Sequence, residues 1–136
     1  MRQATFIDTS YLLALVNSRD KYHLAAINLS DQILPPFVTS DAVLFELGNA
    51  LANPPIRALG VRVLHQVRLD KDIEIVSIGS DLFAETVAFY RARPDKGWGL
   101  TDCSSFVIMQ RLGLVAALTA DKHFEQAGFT RLLSLS

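Results

Sequence analysis

A chain of 136 residues, half of them apolar, can bury one continuous core and is too short for two ordinary domains, so a single domain over residues 1–136 is expected. Thirteen basic against fourteen acidic residues give a formal net charge of -1, which excludes a general basic coat; a polyanion would have to be held by a local patch or by metal ions. The lone Cys103 excludes an intramolecular disulfide, a cysteine zinc cluster and a CxxC redox pair, and makes the cytosol the natural compartment.

Along the chain, short apolar runs alternate with helical patterns, the rhythm of parallel βα units. The first run, TFI (5–7), passes through Asp8-Thr9-Ser10 into YLLALV. That apolar stretch is too short to span a bilayer, and no signal peptide or membrane anchor is expected. HLAAINLSDQIL (23–34) reads as an amphipathic helix stopped by Pro35-Pro36. After the strand FVT (37–39), Ser40 or Asp41 can cap a helix reaching Asn53, with Val43, Leu44, Leu47 and Leu51 as its apolar stripe and Pro54-Pro55 as its end. Glu46 falls on the border of that stripe.

Residues 56–69 form a further helix carrying Arg57, Arg62 and Arg68, followed by a strand, IEIVSI (73–78), and a helix over 81–92. The loop DKGWG (95–99) leads to TDCSSFVIMQRLG, where Thr101 is the expected N-cap and Gly113 the terminating glycine. Asp102 then sits in the first turn, where the peptide dipoles favour a negative charge. VAALTA (115–120) and RLLSL (131–135) complete the strands. No internal repeat, low-complexity tract or linker is visible.

Four acids break apolar runs: Asp8, Glu46, Asp102 and Asp121. Burying such groups singly is costly, and bringing them together requires a cation to reverse their repulsion. In an open parallel sheet, groups that follow strands or open helices collect beyond the strands' carboxyl ends where the strand order reverses. Hard oxygen donors of this kind suit Mg²⁺ or Mn²⁺ and argue against zinc, and the corresponding chemistry is phosphodiester hydrolysis.

FIDTSYLLAL, FELGNAL, KGWGLTDCSSFVIM and ALTADKHFEQAGF together resemble the PIN-domain ribonucleases, especially the small VapC-type toxins of toxin–antitoxin pairs. The match runs from about Thr5 to Leu133, and the family's four acids fall on Asp8, Glu46, Asp102 and Asp121. The resemblance implies a three-layer α/β/α sandwich around a mainly parallel sheet of about five short strands. It also implies a Mg²⁺- or Mn²⁺-dependent endoribonuclease, forming a homodimer and inhibited by a cognate antitoxin. Asp8 and Asp102 would touch metal directly, Glu46 and Asp121 directly or through water. The hydroxyls of Thr9, Ser10 and Thr101 would support them, and Asp95 is a candidate accessory acid.

Each residue also has a plainer reading. Asp8 can be a turn acid and Asp102 a helix stabiliser. His23, His65 and His123 show no HxH or HExxH spacing and read as surface or packing residues. Cys103 and Met109 fit an apolar helix face. Trp98 can stack on a base or close a core edge, and Arg57, Arg62 and Arg68 can bind phosphate or simply solvate a helix. Two other functions compete: phosphotransfer through an aspartyl-phosphate at Asp8, and a catalytically silent PIN-like domain that binds RNA or a partner. Against the first, Ser10 stands where a dehalogenase pattern wants a second Asp.

Overall fold

The computed structural model describes residues 2–135. The apolar runs become β1 (Thr5–Ile7), β2 (Phe37–Ser40), β3 (Ile73–Val76), β4 (Ala116–Leu118) and β5 (Thr130–Arg131). They pair, all parallel, in the order β3-β2-β1-β4-β5. Successive strand residues face opposite sides of a sheet, yet Phe6 and Ile7 are both buried, as are Ala117 and Leu118. Helices therefore cover both faces, as a parallel sheet requires.

Around the sheet lie α1 (Thr9–Val16), α2 (His23–Ser30), α3 (Asp41–Ala50), α4 (Pro54–Leu69), α5 (Ser80–Arg91), α6 (Leu100–Leu112) and α7 (Lys122–Gln126). Ser40 caps α3, its hydroxyl accepting from the Val43 N–H at 3.2 Å. The prolines expected to end that helix instead open the next: Pro54 and Pro55 occupy the first positions of α4, where their missing N–H groups cost nothing. The strand expected over 73–78 stops at Val76. Beyond it, the Ile78 N–H turns away to the Asp41 carboxylate, at 3.2 Å from each oxygen. Of the strand expected over 131–135 only Arg131 is paired; the strand is the two residues Thr130–Arg131, and 132–135 lie outside it.

Helix α6 is buried continuously from Cys103 to Met109, so all its sides are packed. Its polar residues are satisfied internally, Ser104 and Ser105 donating to the Thr101 carbonyl at 2.6 and 3.2 Å. It ends as expected at Gly113, whose φ of 67° is the left-handed conformation glycine tolerates. The Gly113 and Leu114 N–H groups close back on the Gln110 and Met109 carbonyls. Phe106 packs edge-on against Trp98 at 5.0 Å and Phe124 at 4.9 Å, joining this helix to the loop before it and to α7. Among the described residues, no helix is long and apolar enough to cross a membrane.

Candidate active site

From β1 the chain moves outward to β2 and β3, then returns to β4 on the other side of β1. The strand order therefore reverses between β1 and β4, opening a crevice beyond their carboxyl ends. Asp8 follows β1 directly, and its N–H donates to the Leu118 carbonyl at 3.1 Å. Asp121 lies three residues beyond β4 and caps α7, its Oδ1 accepting from the His123 N–H at 2.9 Å.

Asp8 is only 3% exposed. Its Oδ2 accepts from Thr119 Oγ1 at 2.7 Å and Ser10 Oγ at 3.1 Å. Burial pushes its carboxyl up from 3.8 to about 6; hydrogen bonds from Thr119, the Thr9 backbone and Ser10 oppose that rise, while the Asp102 charge adds to it. Sequence reasoning misses Thr119. Its hydroxyl also accepts from the Asp121 N–H at 3.0 Å, so one side chain positions Asp8 and the segment bearing Asp121. The only sequence signal for this role is a hydroxyl residue at the end of an apolar strand, two before an acid.

Asp102 lies in the first turn of α6, as expected. His123 Nδ1 donates to its Oδ2 at 2.9 Å and lies 3.4 Å from Asp121 Oδ1. Burial raises the Asp102 pKa first of all; the His123 hydrogen bond lowers it, and the Asp121 and Glu46 charges raise it again. Glu46 is exposed on α3 but within electrostatic reach of Asp102. One ligand atom each from Asp102, Asp121 and His123 falls within 4.8 Å of the others.

The geometry corrects the sequence reading at several residues. His123 is no bystander: the turn of α7 carries its imidazole between two acids, a juxtaposition that linear spacing could not reveal. Its nitrogen also breaks the all-oxygen donor set used to argue against zinc. Thr101 is not the N-cap, because α6 starts two residues earlier than expected, at Leu100 behind Gly99, leaving Thr101 inside the first turn. The Thr9 hydroxyl points to the Val43 carbonyl at 3.5 Å, and only its backbone serves Asp8. Asp95 is exposed and pairs with Lys96 at 3.6 Å.

Trp98 is buried, its indole N–H bonded to Gln126 Oε1 at 3.0 Å, which fits the core-edge reading and not an open stacking platform. Arg57 and Arg68, with His65, line an apolar groove between α3 and α4, and none of the four acids lines that groove.

The donor chemistry fits a divalent cation. Among the described residues, no lysine or arginine pairs with Asp8, Glu46, Asp102 or Asp121; the only basic side chain against them is the His123 imidazole. Asp8 and Asp102, whose pKa values burial raises, have no lysine or arginine to neutralise them and gain most from a bound ion.

The PIN domain family model matches residues 5–130. The chain belongs to the PIN domain family. This PIN chain is 27% identical over 127 residues to the 23S rRNA-specific endonuclease VapC20 of Mycobacterium tuberculosis, covering 93% of this chain and 96% of VapC20. The crystal structure of VapC20 from the same species, a sarcin–ricin loop cleaving toxin, matches with a TM-score of 0.89 at 25% identity, over 96% of this chain and 100% of that one. A toxin–antitoxin complex from Klebsiella pneumoniae shares the fold, with a TM-score of 0.62 at 18% identity over 88% of each chain. The all-parallel sheet between helical layers is thus the α/β/α sandwich of PIN proteins.

Proposed function

We propose that this PIN protein is a divalent-metal-dependent endoribonuclease, the toxin of a toxin–antitoxin pair acting in the cytosol. The observation that carries this reading is geometric: ligand atoms of Asp102, Asp121 and His123 lie within 4.8 Å of one another, and buried Asp8 sits at the β1–β4 switch point of a PIN sheet. Asp8 and Asp102 are the direct metal ligands in this reading, with Glu46 and Asp121 binding directly or through water. When bound, Mg²⁺ or Mn²⁺ supplies Lewis acidity, lowering the pKa of a water and screening the scissile phosphate.

The remaining work falls to the protein. Thr119 and Ser10 hold one oxygen of Asp8, which leaves the other directed by the Asp8 rotamer. His123 orients Asp102 by occupying one of its oxygens, the role an outer-layer hydrogen bond plays in most metal sites. Its imidazole makes Mn²⁺ the more tolerant of the two ions, should the nitrogen itself enter the coordination sphere. In-line attack by water leaves a 5′-phosphate and a 3′-hydroxyl.

The similarity to VapC20 makes a sarcin–ricin loop hairpin the first RNA to test. A cognate antitoxin and a second copy of the chain are the partners. Leu24 and Leu69 are 75% and 79% exposed, and Phe45 and Val61 line the α3–α4 groove, offering apolar surface to such partners.

The deciding experiment compares wild type with Asp8→Asn on that hairpin, after EDTA treatment and with Mg²⁺ or Mn²⁺ restored. Cleavage only by metal-loaded wild type supports the reading. Equal cleavage by Asp8→Asn, or cleavage undiminished in EDTA, overturns it.

A further inference from the structure

A second cavity, a cleft of about 480 Å³, opens where the end of α5 and the loop after it meet the start of α6. Three of its lining residues are cations, Arg91, Arg93 and Lys96, and none is an anion. In a chain with a net charge of -1, that concentration is a departure from the average surface.

We propose that this cleft seats the sugar–phosphate backbone of the RNA beside the bond to be cut. This rests on the nuclease reading and adds the groups that hold the substrate. An RNA approaching Asp8, Glu46, Asp102 and Asp121 meets like charge, so attraction must come from bound metal and from flanking cations. None of the four acids lines the cleft, but it borders the first turn of α6, which carries Asp102: Gly99 just before that turn and Cys103 just after Asp102 both belong to its wall.

The cleft is also held in shape. The Arg93 guanidinium lies 3.8 Å from the centre of the Phe89 ring, and its Nη1 donates to the Phe89 carbonyl at 3.5 Å. Phe89 in turn stacks on Trp98 at 6.1 Å, forming a fixed aromatic wall under the arginine. A planar guanidinium pinned on a ring keeps N–H groups free for phosphate oxygens. Lys96 lies 5.9 Å from the centre of the Trp98 ring and pairs with exposed Asp95 at 3.6 Å, an ion pair too solvated to compete with a phosphate. Tyr90, 51% exposed, lines the same cleft and can lie against a ribose or base.

The test separates binding from cleavage. In an Asp8→Asn background, fluorescence anisotropy measures the affinity of a labelled sarcin–ricin loop hairpin and of an unrelated hairpin across a salt series. Arg91→Gln/Arg93→Gln/Lys96→Gln should weaken both about tenfold or more and lower the salt slope by roughly 2, at about 0.7–0.9 for each phosphate no longer neutralised. Arg91→Gln/Lys96→Gln, which leaves the Arg93–Phe89 packing intact, should show a smaller loss in the same direction and stands in if the triple variant does not fold. Lys71→Gln, in the exposed turn after α4, controls for general charge.

Unchanged affinity and slope in the cleft variants, with wild type still cleaving RNA, overturn the cleft assignment alone. No RNA binding by the parent overturns the cleft and the nuclease reading together. Retained RNA binding with loss of binding to a polyglutamate peptide assigns the cleft to an acidic protein and equally overturns the proposal.

Discussion

His123 and Asp102, 21 positions apart in sequence, are joined by a 2.9 Å hydrogen bond from the imidazole Nδ1 to the carboxylate. The bond raises the histidine pKa and holds the aspartate below where burial alone would put it.

Replacing His123 with Ala should therefore raise the Asp102 pKa further, so that metal competes with a proton at higher pH. The expected result is a fall of about tenfold in RNA cleavage near neutral pH, with the acidic limb of the pH–rate profile displaced upward. An unshifted acidic limb would show that the imidazole does not orient Asp102.

The pH dependence of stability without metal follows from Asp8. Below 3.8 the folded and unfolded chains both hold the proton, and between 3.8 and about 6 only the folded chain holds it, so stability falls as pH rises through that window. The fall amounts to roughly 3 kcal/mol across the window, at ~1.36 kcal/mol for each pH unit. His123 acts in the same sense: its raised pKa contributes stability at low pH that is lost as pH rises through the folded value. Denaturant melts in EDTA at pH 4 and pH 7.5 should show this loss. Asp8→Asn should shrink it and be the more stable protein at pH 7.5, and Mn²⁺ should restore stability to wild type alone.

Thr119→Val keeps shape and removes the hydroxyl. Asp8 Oδ2 then loses its shortest hydrogen bond and the Asp121 N–H loses its acceptor. A cost of about 1–3 kcal/mol is expected from these polar groups. Thermal melts check the stability. Cleavage should fall as well, because Asp8 would hold its proton to higher pH.

Asp121 does two things that substitution can separate. Asn keeps a side-chain oxygen to cap α7 but discards the charge, whereas Ala discards both. Asp121→Asn should melt near wild type yet bind Mn²⁺ more weakly by calorimetry. Asp121→Ala should add a stability loss of about 1 kcal/mol. Equal metal affinity in wild type and Asp121→Asn would remove Asp121 from the ion's surroundings.

Strands β1 to β4 are legible in the sequence because each lies in a short β-branched or apolar run, whereas β5, Thr130–Arg131, is too short and polar to stand out; parallel order follows from the helices between them. Local signals with two meanings mislead: Pro54-Pro55 reads equally as a stop and as a first turn, and structure chose the latter. Helix α7, with five residues, is too short to leave a periodic signature. That brevity hides His123, since only the α7 turn brings it to Asp102. The acids themselves stand out because a carboxylate inside an apolar run is conspicuous. Hydroxyls such as Thr119 are ordinary in a strand and acquire their role only from the neighbour across the sheet.

Trp98 is the chain's single tryptophan, wedged edge-on to Phe106 of the helix that bears Asp102 and bonded to Gln126 at the end of the helix that bears His123. Any movement of one helix against the other alters the polarity and hydrogen bonding of that indole. Its fluorescence is thus an intrinsic optical gauge of the α6–α7 junction, able to follow ion loading in unlabelled protein as a shift in emission wavelength.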